Sequence, residues 1–228
     1  MTLEPLKELP IPKPPTNDIK NDDILASYRN GSASATELVS KISSLIEEDY
    51  KKARIYAQVV AQQIASENNS KIIPTLLSHL QEQYKNLMLN SSTITVDEQQ
   101  AIVSMLCAYF EFIRAPQGQA ILAPLAAPIV QALETLAKCE NSPSGSEEQF
   151  EKVKSLLHHL QVIGKELDQL AVKPVDKLFI SIRNSFMKKS TKEKTRLMMM
   201  ELLEVRASKW SISQSAYEFY YGNKSDLS

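Results

Sequence analysis

From Ser34 onward the hydrophobic positions recur at intervals of three and four residues, the period of a helix that buries one face. Leu38, Val39, Ile42, Leu45 and Ile46 form one stripe, and Ala53, Tyr56, Val60 and Ile64 a second. Ile73, Leu76, Leu77, Leu80, Tyr84 and Leu87 form a third, with Pro74 acceptable only in the first turn, where its missing N–H has no partner to lose. The next segment places Val103, Leu106, Cys107, Phe110 and Ile113 on one face and Met105, Tyr109 and Phe112 on others, the pattern of a buried, central helix. Leu122, Leu125, Ile129, Leu133 and Leu136 continue the series in a helix predicted to kink at its internal prolines. A long run from Phe150 through Val153, Leu157, Leu160, Ile163 and Leu167 to Leu170 follows. Then come Val175, Leu178, Phe179, Ile182 and Phe186, in a helix opened by Pro174, and last Leu197, Met200 and Leu203.

Three helix starts carry the capping-box pattern, in which a hydroxyl and a carboxylate three residues apart exchange bonds with each other's backbone: Ser34-Ala-Thr-Glu37, Thr95-Val-Asp-Glu98 and Ser190-Thr-Lys-Glu193. Asn141 to Ser146 reads as the clearest loop in the body. No strand signal stands out. The spacing predicts eight helices of about 11 to 24 residues, paired over roughly 40–47 residues as in HEAT or armadillo repeats. The fold class is therefore all-α, an α-solenoid of HEAT-like helix pairs, with a compact helical bundle as the alternative.

Composition changes this picture little. Among 228 residues, five glycines leave few positions for the tight turns of a β-sandwich or barrel. A net charge of −1 gives no global field toward nucleic acid or membrane, and no apolar stretch is long enough to span a bilayer. Cys107 and Cys139, both among apolar neighbours, read as buried small hydrophobes in a reducing compartment, cytosol or nucleus. Residues 1–33 read as an ordering-poor arm: five prolines precede Asn17, with Pro12-x-x-Pro15 among them, and a plain tether is the expected role. The helical domain is expected over 34–222, and residues 223–228 form a tail.

Candidate chemistry is thin. His79, His158 and His159 lack the spacing of a helical metal pair and read as surface or boundary imidazoles. No phosphate loop, nucleophile elbow or Cys-x-x-Cys is present. The expectation is a protein without catalytic residues, metal or cofactor. The C-terminal sixth departs from blandness. Arg183, Lys188, Lys189, Lys192, Lys194, Arg196, Arg206 and Lys209 face only Glu193, Glu201 and Glu204, a local excess suited to RNA phosphates or an acidic peptide. Ser190 and Thr191 lie among these lysines. Trp210, Tyr217, Phe219, Tyr220 and Tyr221 follow, a composition of interface hot spots and equally of a lid over the last repeat.

The stretch Leu197-Met-Met-Met-Glu-Leu-Leu-Glu-Val-Arg-Ala-Ser-Lys-Trp210 resembles the closing helix of MIF4G domains, the middle domain of the initiation factor four-gamma scaffold. Leu160 to Leu167, Asp176 to Arg183 and Tyr217 to Tyr221 resemble, within that family, a small single-domain member that interacts with the histone mRNA stem-loop-binding protein. The likeness runs from Ala35 to Gly222. It implies a HEAT-like solenoid without enzymatic activity that bridges proteins in mRNA translation; the reducing compartment read from the cysteines places that work in the cytoplasm, with the nucleus as the second location. The partners it implies are an mRNA-bound protein such as the stem-loop-binding protein, the initiation scaffold and a DEAD-box helicase, with a homodimer as the assembly. RNA contact is expected to be indirect. The residues proposed to meet partners are Arg183, Arg206, Trp210, Tyr217, Tyr220 and Tyr221, beside a basic patch of Lys188, Lys189, Lys192, Lys194 and Arg196.

Overall fold

The computed structural model describes residues 6–7, 23–67, 71–90, 93–115, 118, 120–138 and 147–222. Cys139, the Asn141–Ser146 loop, Pro12-x-x-Pro15 and the tail lie outside the described residues. The chain divides into two compact units, Lys13–Ala132 and Leu133–Ser228 with Met1–Pro12, within the span read from sequence as one domain over 34–222.

The unit Lys13–Ala132 holds α1 (Asp23–Arg29), α2 (Ala35–Glu48), α3 (Ala53–Glu67), α4 (Ile72–Leu89) and α5 (Val96–Phe112). Two predicted capping boxes are present as drawn, Ser34 with Glu37 and Thr95 with Glu98. Their carboxylates are held below the usual range by the cap backbone and hydroxyl they accept from. The α5 helix packs against α2, α3 and α4. That is why it is apolar all round: every residue from Gln99 to Phe110 is buried. Arg54 of α3 joins Glu111 of α5 through two bonds, Nε to Oε2 at 2.8 Å and Nη2 to Oε1 at 2.5 Å. A planar guanidinium matched to both carboxylate oxygens fixes the pair's orientation as well as its distance.

The second unit holds α7 (Glu147–Leu170), α8 (Val172–Met187) and α9 (Glu193–Ala207), each packed against the other two. Its core is built by Val153, Leu156, Leu160, Ile163 and Leu167 of α7, Val175, Leu178, Phe179 and Ile182 of α8, and Met199, Leu202 and Val205 of α9. Beyond α9 come β2 (Ile212–Ser213), the single turn α10 (Gln214–Tyr217) and a π turn over Glu218–Gly222.

Four expectations are corrected. Asp23–Arg29, placed in the ordering-poor arm, is helical: Leu25 is buried, and Arg29 donates to Gln63 of α3 at 2.8 Å. The third capping box does not form, because α9 begins at Glu193 and Lys192 takes the cap position without a side-chain bond, which leaves Ser190 two positions ahead of the cap; Thr191 between them is buried and donates to the Ser185 carbonyl at 2.7 Å. The proline-bearing fifth helix is not kinked. Pro124 sits in a 3₁₀ turn, Ala123–Leu125, and Pro128 in the first turn of α6 (Ala126–Ala137), where no intrahelical N–H bond is forfeited. Strand pairing exists, though only as a two-residue antiparallel ladder between β1 (Leu6–Lys7) and β2.

Candidate partner-binding surface of the C-terminal helices

The C-terminal end of α9 is set by one tryptophan and one glycine. After Ala207 the chain turns through two consecutive residues in the left-handed region, Lys209 at φ 56° and Trp210 at φ 62°. Neither is a glycine, so the conformation costs about 1–3 kcal/mol at each position. The Trp210 amide donates to the Val205 carbonyl at 2.8 Å and the Lys209 amide to Arg206 at 2.9 Å, closing the helix. This turn delivers the indole onto α7 at Gly164. A Cβ on that residue would lie 2.2 Å from indole Cζ3 and 2.4 Å from Cη2, so only glycine admits the ring. Across it the Phe179 ring meets the indole edge-on at 6.0 Å, a favoured aromatic geometry.

Asp168, one turn beyond Gly164, gathers the polar groups. It accepts from Trp210 Nε1 at 3.0 Å and from Arg206 Nη2 at 3.0 Å. Arg206 also donates to Asp176 at 2.6 Å and lies over the Phe179 ring at 4.6 Å. Burial works against the guanidinium charge, but the two aspartates outweigh it and raise its pKa. Arg206 and Trp210 are thus locked into the frame.

The tyrosines close the same end. Tyr220 donates to Glu204 at 2.7 Å, Tyr221 donates to Glu201, and Gln161 Nε2 of α7 donates to Glu201 at 2.9 Å and to the Tyr221 hydroxyl at 2.6 Å. Burial comes first in raising the pKa of both phenols, and their carboxylate partners add to it. Burial also raises the pKa of Glu201, with the bonds from Tyr221 and Gln161 opposing. Tyr217 meets Tyr221 at 5.1 Å with the rings tilted by 45°, and joins Trp210, Ala216 and Tyr220 around a small core of Val205 and Ile212. Of the two readings left open by the sequence, the lid describes these aromatics; Phe219 alone points out, at 64% exposure.

The opposite end of α9 is the reverse. Lys188, Lys189, Lys192 and Lys194 are exposed, and among the described residues no carboxylate lies within ion-pair distance of them. Arg183 is likewise exposed on α8. Arg196 is not part of this open set: it is half-buried and donates from Nη2 to the Lys188 carbonyl at 2.6 Å, satisfying the C-terminal end of α8. Beside the lysines an open groove of about 450 Å³ is lined by Glu147, Phe150, Lys192, Glu193, Lys194 and Thr195. The structure therefore splits the predicted site residues into an open basic group and a locked aromatic group. Of the residues that organise the locked group, Asp168, Gly164 and Gln161 were not singled out from sequence, and Glu201 was noted only as a charge opposing the basic residues.

Elsewhere the histidines are structural. His79 bonds Ser43 through Nε2 at 2.7 Å, and burial lowers its pKa. Ser43 is 3% exposed with the Met105 sulfur 3.7 Å away, which leaves no approach for a substrate to its hydroxyl. His159, read as a boundary imidazole, is buried beside Ser155. Cys107 is buried as expected, which pushes its thiol pKa far up. Among the described residues no group of three or more His, Cys, Asp or Glu is placed to hold a metal ion, and no helix is long and apolar enough to cross a membrane.

No family model matches the chain. MIF4G domain-containing protein B of Danio rerio is 26% identical over 197 residues, covering 82% of this chain and 85% of that protein. MIF4G domain-containing protein A of the same fish is 28% identical over 170 residues, 74% of each chain. The MIF4G domain-containing protein of Homo sapiens is 26% identical over 125 residues, 54% of this chain and 53% of its own length. Matches of this extent on an all-helical frame make the chain similar to MIF4G domain-containing proteins over most of its length.

Proposed function

We propose that this protein is a non-enzymatic adaptor in translational control, bridging an mRNA-bound protein, such as a histone stem-loop-binding protein, to the translation initiation machinery. The observation that carries the reading is the extent of the MIF4G relationship, which takes in most of the chain. The C-terminal helices add a surface suited to the task. Lys192 and Lys194 line a groove that also holds Phe150, Glu147 and Glu193, and Lys188 and Lys189 stand exposed at the same end of α9, so a partner is offered an aromatic anchor beside a basic surface. The locked end of α9 keeps that surface rigid, so little is lost in ordering it when a partner binds. The same reading carries a DEAD-box helicase among the partners, a homodimer, and a cytoplasmic location that extends to the nucleus.

A pull-down from lysate with and without nuclease tests it. Translation proteins should remain bound after RNA is digested, and a protein with Lys188, Lys189, Lys192 and Lys194 all changed to glutamate should lose them. The second reading, direct RNA binding, is favoured by the same four exposed lysines. It predicts RNA affinity that falls steeply as salt rises, since each neutralised phosphate releases a counterion. Partners lost in step with the RNA would replace the first reading with the second.

A further inference from the structure

Ser190 and Thr191 stand side by side in the turn between α8 and α9, and the fold treats their hydroxyls in opposite ways. Thr191 is buried and donates to the Ser185 carbonyl at 2.7 Å, so its oxygen is both covered and engaged. Ser190 is exposed, and its hydroxyl has no hydrogen-bond partner among the described residues. The Thr191 amide donates to the Lys188 carbonyl at 3.1 Å, which closes a turn with Ser190 at its third position. Lys188 and Lys189 precede the serine, Lys192 and Lys194 follow it, and all four are exposed. Arg196 reaches the same turn, donating from Nη2 to the Lys188 carbonyl at 2.6 Å, whereas its Nε is buried without a hydrogen-bond partner. A guanidinium offers its donors as a fixed fork, so an unpartnered Nε leaves part of that fork unspent at the foot of the turn. Glu193 is the one acidic residue in the first turn of α9, and the cations around it outnumber it.

We infer that Ser190 is a phosphorylation site for a serine kinase that reads basic residues on both sides of its target, and that the phosphate closes the basic surface of α9 to an acidic partner. The kinase transfers the γ-phosphoryl group of ATP. A bond forms between Ser190 Oγ and the γ-phosphorus as the bond to the β,γ-bridging oxygen breaks; ADP leaves with that oxygen, and the serine proton passes to the kinase's base. The product sets about two negative charges and three acceptor oxygens on the turn. Arg196 and the lysines meet them, just ahead of the N-terminus of α9, where negative charge is favoured. Roughly half the charge of the four lysines is cancelled, and an acidic segment that they attracted now faces a phosphate. Thr191 is no acceptor, because its hydroxyl is turned inward. The effect on partners rests on the adaptor reading; the phosphorylation itself does not.

The test uses the folded full chain, ATP labelled in its γ-phosphate and protein kinase C, which prefers basic residues on both sides of its serine. The chain should take up one phosphate, and peptide mapping should place it on Ser190 and not on Thr191. Ser190→Ala removes an exposed hydroxyl without a partner, so it should lose the label with an unchanged denaturation curve. In the phosphoprotein the phosphorus resonance should titrate below the ordinary phosphoserine value of about 6, and Arg196→Gln should return it toward that value. Capture of translation proteins from lysate should fall at least ~10-fold on phosphorylation. The proposal is overturned by label that appears only after the chain is unfolded in urea, by label that persists in Ser190→Ala, by a phosphate that titrates at its ordinary value, or by equal capture with the two forms. Labelling and titration need no partner, so a protein that captures nothing in either form sinks the adaptor reading while those two measurements still decide the site.

Discussion

The two ends of α9 carry the same kinds of side chain, cations and carboxylates beside aromatic rings, and dispose of them in opposite ways. At the C-terminal end Arg206 is met by Asp168 and Asp176, Glu204 by Tyr220, and Glu201 by Gln161 and Tyr221. At the N-terminal end Lys192 leaves the helix without a side-chain cap, and the four lysines around it stand exposed. Charges that have spent their field on one another hold a shape, whereas charges left facing water remain able to steer and hold a partner. Sequence proximity had grouped the two ends into one basic and aromatic region; the fold separates them into a brace and a surface.

The hardest test of the brace is Trp210→Ala. It strips the ring from Gly164 and Phe179 and leaves Asp168 without the indole donor, and it should lower unfolding stability by about 3–5 kcal/mol. Urea denaturation read at unchanged slope measures it. A wild-type midpoint would move Trp210 to the surface side of the comparison.

Gly164→Ala should act through the same contact, with a smaller effect whose sign depends on the tryptophan. In the wild type the added methyl meets indole carbons at 2.2 and 2.4 Å and should cost about 1–3 kcal/mol, more than the roughly 1 kcal/mol that alanine ordinarily gains over glycine within a helix. With Trp210 already replaced by alanine the obstacle is gone, and the same change should stabilise. A double-mutant cycle reads that reversal directly; additive effects would show that the ring does not rest on Gly164.

This pair also marks where sequence reasoning reached and where it stopped. Helical periodicity and two of the three capping boxes were legible because they depend on residues three and four apart. The closing-helix motif through Arg206 and Trp210 was legible as a family pattern. The role of those two was not, since it rests on Asp168 and Gly164, which lie 38 and 46 positions upstream and meet them only after α7 and α9 pack. A glycine inside the strongly periodic run from Phe150 to Leu170 was the one available signal, because such a residue weakens a helix unless packing requires it. Ser190-Thr-Lys-Glu193 shows the converse failure: the local pattern is present, but α9 starts later, at Glu193 behind Lys192, while Thr191 turns inward to the Ser185 carbonyl.

Glu201 sharpens the brace through pH. Burial raises its pKa in the folded protein above the unfolded value, so its contribution favours folding while it is protonated, below the unfolded pKa, and is lost as pH rises through the raised folded pKa. In Glu201→Gln that dependence disappears while the side-chain oxygen still accepts from Tyr221. The stability of the wild type relative to the variant should therefore fall as pH rises above the ordinary glutamate pKa of about 4.3, and level off once the carboxyl is ionised in the folded protein. A difference that rises over that range would mean that the bonds from Tyr221 and Gln161 hold the carboxylate more strongly than burial penalises it.

The smallest effect on stability belongs to the other end of the helix, and there the size of the effect is itself the argument. Changing Lys188, Lys189, Lys192 and Lys194 together to glutamate removes no ion pair among the described residues and uncovers no core. Exposed substitutions of this kind usually stay within about 0.5 kcal/mol each, and acidic groups near the first turn of α9 interact favourably with its dipole. The midpoint should stay near that of the wild type or rise slightly. Binding should behave differently, since a potential that drew an acidic or phosphate-bearing partner is reversed and now repels it. Loss of partner capture with an unmoved denaturation curve identifies a surface kept for recognition. A matched loss of both would place the lysines in the brace with Arg206, and the contrast between the two ends of α9 would disappear.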